Sequence, residues 1–328
     1  ILRSGGSGTT ALTLNANSSI TVQASGSISG SSAGNRLNVV LNAGFPNIYN
    51  TTVDPAAEVT LNGPISSIGG SITINSQGSG GVTLASLISL NTGGDGRTDG
   101  RDSGNISINQ SGTGDVSLLG TPNTSVTSTA STSGGAAGNV TITTANGVIT
   151  VGSITAVGGN GATSDGGAGG AISITAGNAN SITLSGSSFD TTGGAAGSSG
   201  TQGAGGNVAL GSRVLLSGGS VSITTGATAG NIAFSSTLDG TQALGLTSGT
   251  GNITFTRVSS SGSSAITHTS SVGSPAQAVM TIGATLPAGT YYETFTATDS
   301  VGATSVKVIT IIVNPALTLT STTGVNRL

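Results

Sequence analysis

Gly104-Asn105-Ile106-Ser107-Ile108 is followed 34 residues later by Gly138-Asn139-Val140-Thr141-Ile142, the same text with only Ile/Val and Ser/Thr exchanges. Working outward, Gly70-Ser71-Ile72-Thr73-Ile74 precedes the pair and Gly170-Ala171-Ile172-Ser173-Ile174 follows it. Shortened forms stand at Gly206-Asn207-Val208, Gly230-Asn231-Ile232 and Gly251-Asn252-Ile253, so the steps between first glycines are 34, 34, 32, 36, 24 and 21 residues. A near-constant period with self-similar text marks a solenoid, whose units bury their apolar faces only against their neighbours. Within each unit apolar and polar residues alternate, the period of a strand with one face buried.

One period holds three short strands and a loop. The predicted strands of one turn are 140–144, 148–151 and 154–157, with a Gly/Ser/Ala/Asp loop over 158–169. The turn before it reads as 106–108, 116–119 and 124–127 with a loop over 128–137, and the one before that as 72–74, 82–84 and 87–90 followed by 91–103. Three strands per turn with the loops at one corner predict a right-handed parallel β-helix of roughly nine turns over residues 1–262. Earlier turns carry Leu12–Leu14, Ile20–Val22 and Ile28, then Leu37–Leu41, an insertion over 42–57, Val59–Leu61 and Ile65. Glycine at the head of each first strand suits a corner of positive φ, and Asn tolerates that geometry next best.

Composition agrees with a folded but unusual chain. Of 328 residues 57 are glycine, 6% are charged and 2% aromatic, and none is cysteine or tryptophan. Such bias can signal disorder, yet the mean hydropathy is +0.23 and the aliphatic residues are patterned. Any core must therefore consist of stacked aliphatics. With a net charge of −3, Lys307 as its single lysine and its arginines scattered, the chain lacks the cationic footprint of nucleic-acid binding. Without cysteine there are no disulfides, zinc ribbons or thiol nucleophiles. The longest apolar run, 306–313, is interrupted by Lys307 and Thr310 and is too short for a membrane span. Ile1-Leu2-Arg3-Ser4 has no signal-peptide character and Met280 is the single methionine, so a processed product or a piece of a longer polypeptide is expected.

Near residue 266 the grammar changes. Gly-Asn dyads cease, and 265–269, 278–282, 290–298 and 305–313 read as antiparallel strands separated by Gly/Pro/Asp turns. These predict a small antiparallel β-sandwich over 263–316, with 317–328 beginning a further module or linker. Gly289-Thr290-Tyr291-Tyr292-Glu293-Thr294-Phe295, closed by Ile309-Thr310-Ile311-Ile312-Val313-Asn314-Pro315, resembles the last strands of bacterial immunoglobulin-like repeats.

Residues 10–262 resemble the repeat region of filamentous-haemagglutinin-like bacterial surface exoproteins. The likeness lies in Leu37-Asn38-Val39-Val40-Leu41-Asn42-Ala43, Gly69-Gly70-Ser71-Ile72-Thr73-Ile74 and Gly138-Asn139-Val140-Thr141-Ile142-Thr143-Thr144. It implies a secreted extracellular or cell-surface adhesin fibre or stalk that holds other modules away from the cell. Solenoid ends expose strand edges that template pairing, so self-assembly with further copies into filaments or a sheath is an expectation, and other surface or matrix components, or glycans met by the Thr/Ser surface, are the further expected partners.

Candidate chemistry is sparse. Gly93-Gly94-Asp95-Gly96-Arg97-Thr98-Asp99-Gly100-Arg101-Asp102 approaches the calcium-binding β-roll nonapeptide, making Asp95, Asp99 and Asp102 calcium candidates. Thr98 stands where the motif has Asp, and two arginines oppose a cation, so a solvated loop is the expectation and no cofactor is assigned. Parallel β-helices also carry carbohydrate-active enzymes. Asp95, Asp99, Asp102, Asp165 and Asp190 share the corner loops, but glycoside hydrolysis needs two positioned carboxylates on rigid support. No catalytic residue is expected, a carbohydrate-active or carbohydrate-binding β-helix is the alternative, and His268 reads as a surface strand residue. The outward series Thr73, Ser107, Thr141, Ser173, Ala209, Ser222, Ala233, Thr254 is too uneven for an ice-binding hydroxyl lattice.

Overall fold

Ile72 and Ile74, Ile106 and Ile108, Val140 and Ile142, and Ile172 and Ile174 are completely buried in the computed structural model, while the Ser and Thr between them face outward. The structure describes residues 1–3, 8–30, 35–46, 52–93, 102–126, 132–177, 181–240 and 242–258, and beyond these the strands Ile266–Ser271, Gln277–Ile282, Gly289–Thr298 and Thr304–Val313. Among the described residues there are strands and no helices. The protein is all-β, with its strands laid in parallel columns around one aliphatic core in a β-helix-like coil.

The first column runs through Gly8–Ala16, Asn35–Ala43, Ile72–Ser76, Ile106–Gln110, Val140–Thr144, Ile172–Ala176, Val208–Leu210, Ile232–Asp239 and Ile253–Val258. A second column begins at Ile20–Val22, continues through Glu58–Leu61, Gly81–Leu84, Val116–Leu118, Ile149–Val151, Ser181–Ser185 and Arg213–Ser217, and ends on the far half of Ile232–Asp239. The third is a nine-stranded parallel sheet from Leu2–Arg3 to Leu244–Thr247. Register is strict: Ile106 lies opposite Ile72 and Val140, and Val140 opposite Ile172. A slip of one residue would turn each strand's apolar side chains to solvent, so the alternating text fixes the register as well as the strands.

Three aromatics, Phe189, Phe234 and Phe255, pack in this core. Phe189 lies in register between Ile154 and Ile223, and Phe234 stacks on Phe255 with ring centroids 4.9 Å apart. Phe234 and Phe255 fill the coil where its turns shorten.

Three details correct the sequence reading. The third strand expected at 87–90 is Ser89–Asn91, because Leu87 lies in the preceding turn with φ 68° and its side chain fully exposed. The strand expected at 124–127 is Thr121–Asn123. Pro122 disguises it, since proline lacks the N–H that a ladder uses; only Asn123, opposite Thr155, pairs with the strand above. Ser222 belongs to the third column, opposite Ser188 and Gly245, and not to the outward series of the first. The more uniform hydroxyl series lies on the second column: Thr21, Thr60, Thr83, Ser117, Thr150 and Thr183 in unbroken register.

The strands expected after residue 263 are present at Ile266–Ser271, Gln277–Ile282, Gly289–Thr298 and Thr304–Val313. Ile266–Ser271 pairs antiparallel with Ile253–Phe255, closing the first column with a strand of opposite sense, and Gln277–Ile282 pairs with it in turn. Gly289–Thr298 and Thr304–Val313 form a separate two-stranded antiparallel sheet. The side chain of His268 lies outside the described residues.

Ile108 is sandwiched in register by Ile74 and Ile142. Ile108→Ala is expected to lower unfolding free energy by about 2–5 kcal/mol, through lost burial and the cavity left behind. Ser107→Ala, one residue away and facing out, should change it by less than about 0.5 kcal/mol. Urea titration of the two variants checks the contrast.

Candidate functional site

The corner joining the third column to the first carries the dyad glycines, the Asn relay of the dyads and the loops at 132–138, 158–170 and 192–206. Most dyad glycines do not have positive φ there; Gly230 is the exception at 150°. Their role is close approach. A Cβ on Gly104 would lie 2.1 Å from the carbonyl oxygen of Gly70, one on Gly138 2.0 Å from that of Gly104, and one on Gly170 1.9 Å from that of Gly138. Successive corners stack backbone on backbone, and only hydrogen fits between them.

The Asn of the dyad also has a defined task. Asn105 Oδ1 accepts the backbone N–H of Asn139 (2.8 Å), and Asn139 Oδ1 accepts that of Ala171 (2.9 Å). Below them Asn38 Oδ1 accepts from Ser71, and Ser71 Oγ from Asn105. Above, Asn207 serves Asn231 and Asn231 serves Asn252, each at 2.8 Å. Each side chain thus satisfies an amide one turn on, and Ala171 interrupts the relay because methyl accepts nothing. Four residues along the same strands, a second ladder runs from Asn75 Nδ2 to Asn42 Oδ1 and from Asn42 Nδ2 to Asn15 Oδ1, each 2.7 Å.

Inside the corner a buried hydroxyl ties the end of most described third strands to the dyad; after Ile154–Thr155, where Ala156 has no hydroxyl, the Gly170 N–H donates to the Ala156 carbonyl instead (2.8 Å). Thr92 Oγ1 donates to the Gly104 carbonyl (2.6 Å), Thr124 to Gly138 (2.6 Å), Thr191 to Gly206 (2.7 Å) and Thr225 to Gly230 (3.0 Å). Ser67 makes the same bond to Gly70, and Ser248 to Gly251. These clamps enclose between two and fourteen residues, so loop length varies while the corner stays fixed.

The loops at 132–138, 158–170 and 192–206 are joined to one another. Gly203 N–H donates to Gly194 O (2.9 Å), Gly194 to Gly167 (2.8 Å), Gly167 to Gly159 (2.7 Å) and Gly159 to Gly135 (2.9 Å), and all five glycines are buried. The relay crosses between the outgoing and returning limbs of each loop and then to the next loop, making a blade with a glycine core. A Cβ on Gly167 would lie 1.9 Å from the Gly135 carbonyl oxygen. Sequence reasoning took these segments for plain loops. The missed signal is the recurrence of glycine in both limbs of neighbouring loops, at 158, 159, 166, 167, 193, 194 and 203.

The carboxylates act as pins. Asp102 Oδ1 accepts the Ala136 N–H (2.8 Å), Asp115 that of Val148 (2.9 Å) and Asp190 that of Thr192 (2.9 Å). Asp165 Oδ1 accepts both the N–H and the hydroxyl of Thr201, at 2.7 and 2.9 Å. These two bonds, the N–H first, hold the Asp165 carboxyl below the usual aspartate range. Asp54 is lowered likewise, by the Ser18 hydroxyl and then the Ala56 N–H. Of the calcium candidates, Asp95 and Asp99 lie outside the described residues, and the carbonyl of Asp102 accepts from the Arg36 guanidinium at 3.0 Å. Among the described residues no three His, Cys, Asp or Glu side chains form a group able to hold a metal, and no helix is long and apolar enough to cross a membrane. Comparison with family models, curated proteins and solved structures finds no match.

Asn139→Ala removes one relay acceptor and should cost about 0.5–1.5 kcal/mol. Ala171→Asn supplies the missing acceptor and should stabilise by a similar amount; urea midpoints and hydrogen exchange at the Ala171 and Asn207 amides measure both. For Asp165 the folded carboxyl titrates below its unfolded value, so its contribution is complete above the ordinary aspartate range near pH ~3.9 and is lost as pH falls through the lower folded value. Exchange of the Thr201 amide, corrected for intrinsic rate, should rise only in that acid window.

Proposed function

We propose that this chain is a non-enzymatic structural and adhesive segment of a large secreted or cell-surface bacterial fibre. In this reading a right-handed parallel β-helix of about nine turns, one for each strand of the third column, is a stalk, and an immunoglobulin-like module follows it. The observation that carries the reading is the stitching of neighbouring turns by three independent means. Backbone ladders, the Asn relay and the stacked glycine corners all run along the coil axis. Such a coil resists collapse into a globule and spans distance economically: nine strands at ~4.8 Å give a rod of roughly 40 Å.

Two features support a stalk over a catalytic scaffold. The described aspartates of the corner loops spend a carboxylate oxygen on backbone N–H groups, which suits pinning better than proton transfer. The outward faces of the first two columns are small, polar and mostly uncharged, a surface suited to many weak contacts multiplied along a chain. The reversal of strand sense at Ile266–Ser271 supports a change of module near residue 263, and the two antiparallel hairpins supply strands for a sandwich. The same reversal favours a stalk over an end-to-end polymer, because the last parallel edge of the first column is already occupied.

Negative-stain electron microscopy of the purified chain tests this proposal. Thin rods of finite length are expected, and on cells expressing the parent protein they should project from the surface. Round particles would overturn the stalk, and long filaments with a regular axial repeat would overturn it in favour of a polymer.

A further inference from the structure

The dyad asparagines turn a second set of atoms to solvent, and from them we propose that the first column binds a linear, neutral polysaccharide carrying O-acetyl esters, laid along the coil axis. The relay fixes how these amides point. A backbone N–H only donates, so the atom that receives it must be the side-chain oxygen. With their oxygens held by Ser71, Asn139, Ala171, Asn231 and Asn252, the amides of Asn38, Asn105, Asn139, Asn207 and Asn231 direct their NH2 groups elsewhere. Among the described residues these nitrogens donate to nothing in the chain, and Asn105, Asn139, Asn207 and Asn231 are exposed. The second ladder differs, since Asn42 and Asn75 spend their nitrogens on Asn15 and Asn42.

The chemistry of this row sets its complement. An amide nitrogen donates and cannot accept, and a net charge of −3 with scattered arginines offers a polyanion no footing. An ester carbonyl accepts, brings no donor and carries no charge. Two residues along each strand the face adds a second requirement. Asn139 stands beside Thr141, Asn207 beside Ala209 and Asn231 beside Ala233, each pairing a donor with an outward methyl. An acetyl group has the matching two ends, a carbonyl oxygen and a methyl. Successive turns stand ~4.8 Å apart, close to the advance of one pyranose in an extended chain, so neighbouring turns meet neighbouring sugars. Each contact is weak, and their repetition supplies the affinity. An adhesive role for this binding rests on the stalk reading; the contact itself belongs to the face of the purified chain.

Biolayer interferometry of the full chain against acetylated xylo-oligosaccharides, and against the same oligosaccharides after alkaline deacetylation, tests the site. Binding is expected only before deacetylation. N139D/N231D keeps the oxygen that the relay uses but replaces an outward donor by a carboxylate oxygen on two separated turns. Its affinity should fall about tenfold, with circular dichroism unchanged. T83D/T150D puts the same charge on the second column and should bind as the unmodified chain does. A171N fills the gap between Asn139 and Asn207 and should tighten binding about threefold. Equal binding of the deacetylated probe, equal losses in the two aspartate pairs, or no gain in A171N would overturn the proposal. Rods that bind neither probe would overturn it and leave the stalk standing.

Discussion

The spacing of one turn from the next, set by parallel backbone hydrogen bonds at ~4.8 Å, constrains everything else in the molecule. On the flat columns that spacing is easily met, because side chains leave the sheet at right angles. At a corner the chain bends, and a Cβ would point into the turn below. The 2.0–2.1 Å that would separate such a Cβ from the carbonyl beneath Gly104 and Gly138 explains why glycine is kept there. Conformational freedom is secondary at these sites; clearance decides.

Once the corners are stacked, their polar groups must be satisfied within the stack, since an unpaired buried group costs about 1–3 kcal/mol. The Asn relay and the buried hydroxyl clamps are two solutions, one outside the coil and one inside it. The clamp has a structural consequence. Because Thr92, Thr124 and Thr191 hold the dyad carbonyl directly, the residues between clamp and dyad leave the core unaffected. The corner can therefore carry two residues or fourteen. Where adjacent turns all carry long loops, the loops adopt the same solution as the corner and stack glycine on glycine.

The parts of this architecture legible in sequence were those set by a two-residue or a turn-length period. Strand positions, the aliphatic core and the place of the loops follow from Ile-x-Ile text repeated every 32–36 residues. Pro122 and Leu87 hid two third-column strands because their local character opposes a ladder, while their neighbours' pairing prevails. The reason for the dyad was not legible. Gly-Asn suggests a left-handed turn in any isolated segment, and its actual cause, a carbonyl one turn away, lies 34 residues off in the chain. The glycine blade was hidden similarly, since glycine in a loop limb acquires meaning only when a second loop lies against it. Of the calcium candidates, only Asp102 falls among the described residues, where it holds Ala136 and is itself held by Arg36.

The low charge of the chain follows from the same stacking. Any side chain that serves as an acceptor between turns recurs at the turn spacing, so a favoured residue tends to find its own kind above and below. Two like charges at that separation repel by about 1 kcal/mol even in bulk water, and more strongly near a low-dielectric core. Amides face no such penalty: Asn15, Asn42 and Asn75 stand in register and bond to one another. Carboxylates do the same work only singly. Asp190 lies between Thr155 and Thr224, and Asp239 opposite Leu215 beside Arg213. A coil built on repeated vertical acceptors therefore favours Asn, Ser and Thr in its columns, where Asp190 and Asp239 have no carboxylate in register above or below. Among the described residues that distribution produces a largely uncharged hydrogen-bonding surface along the columns.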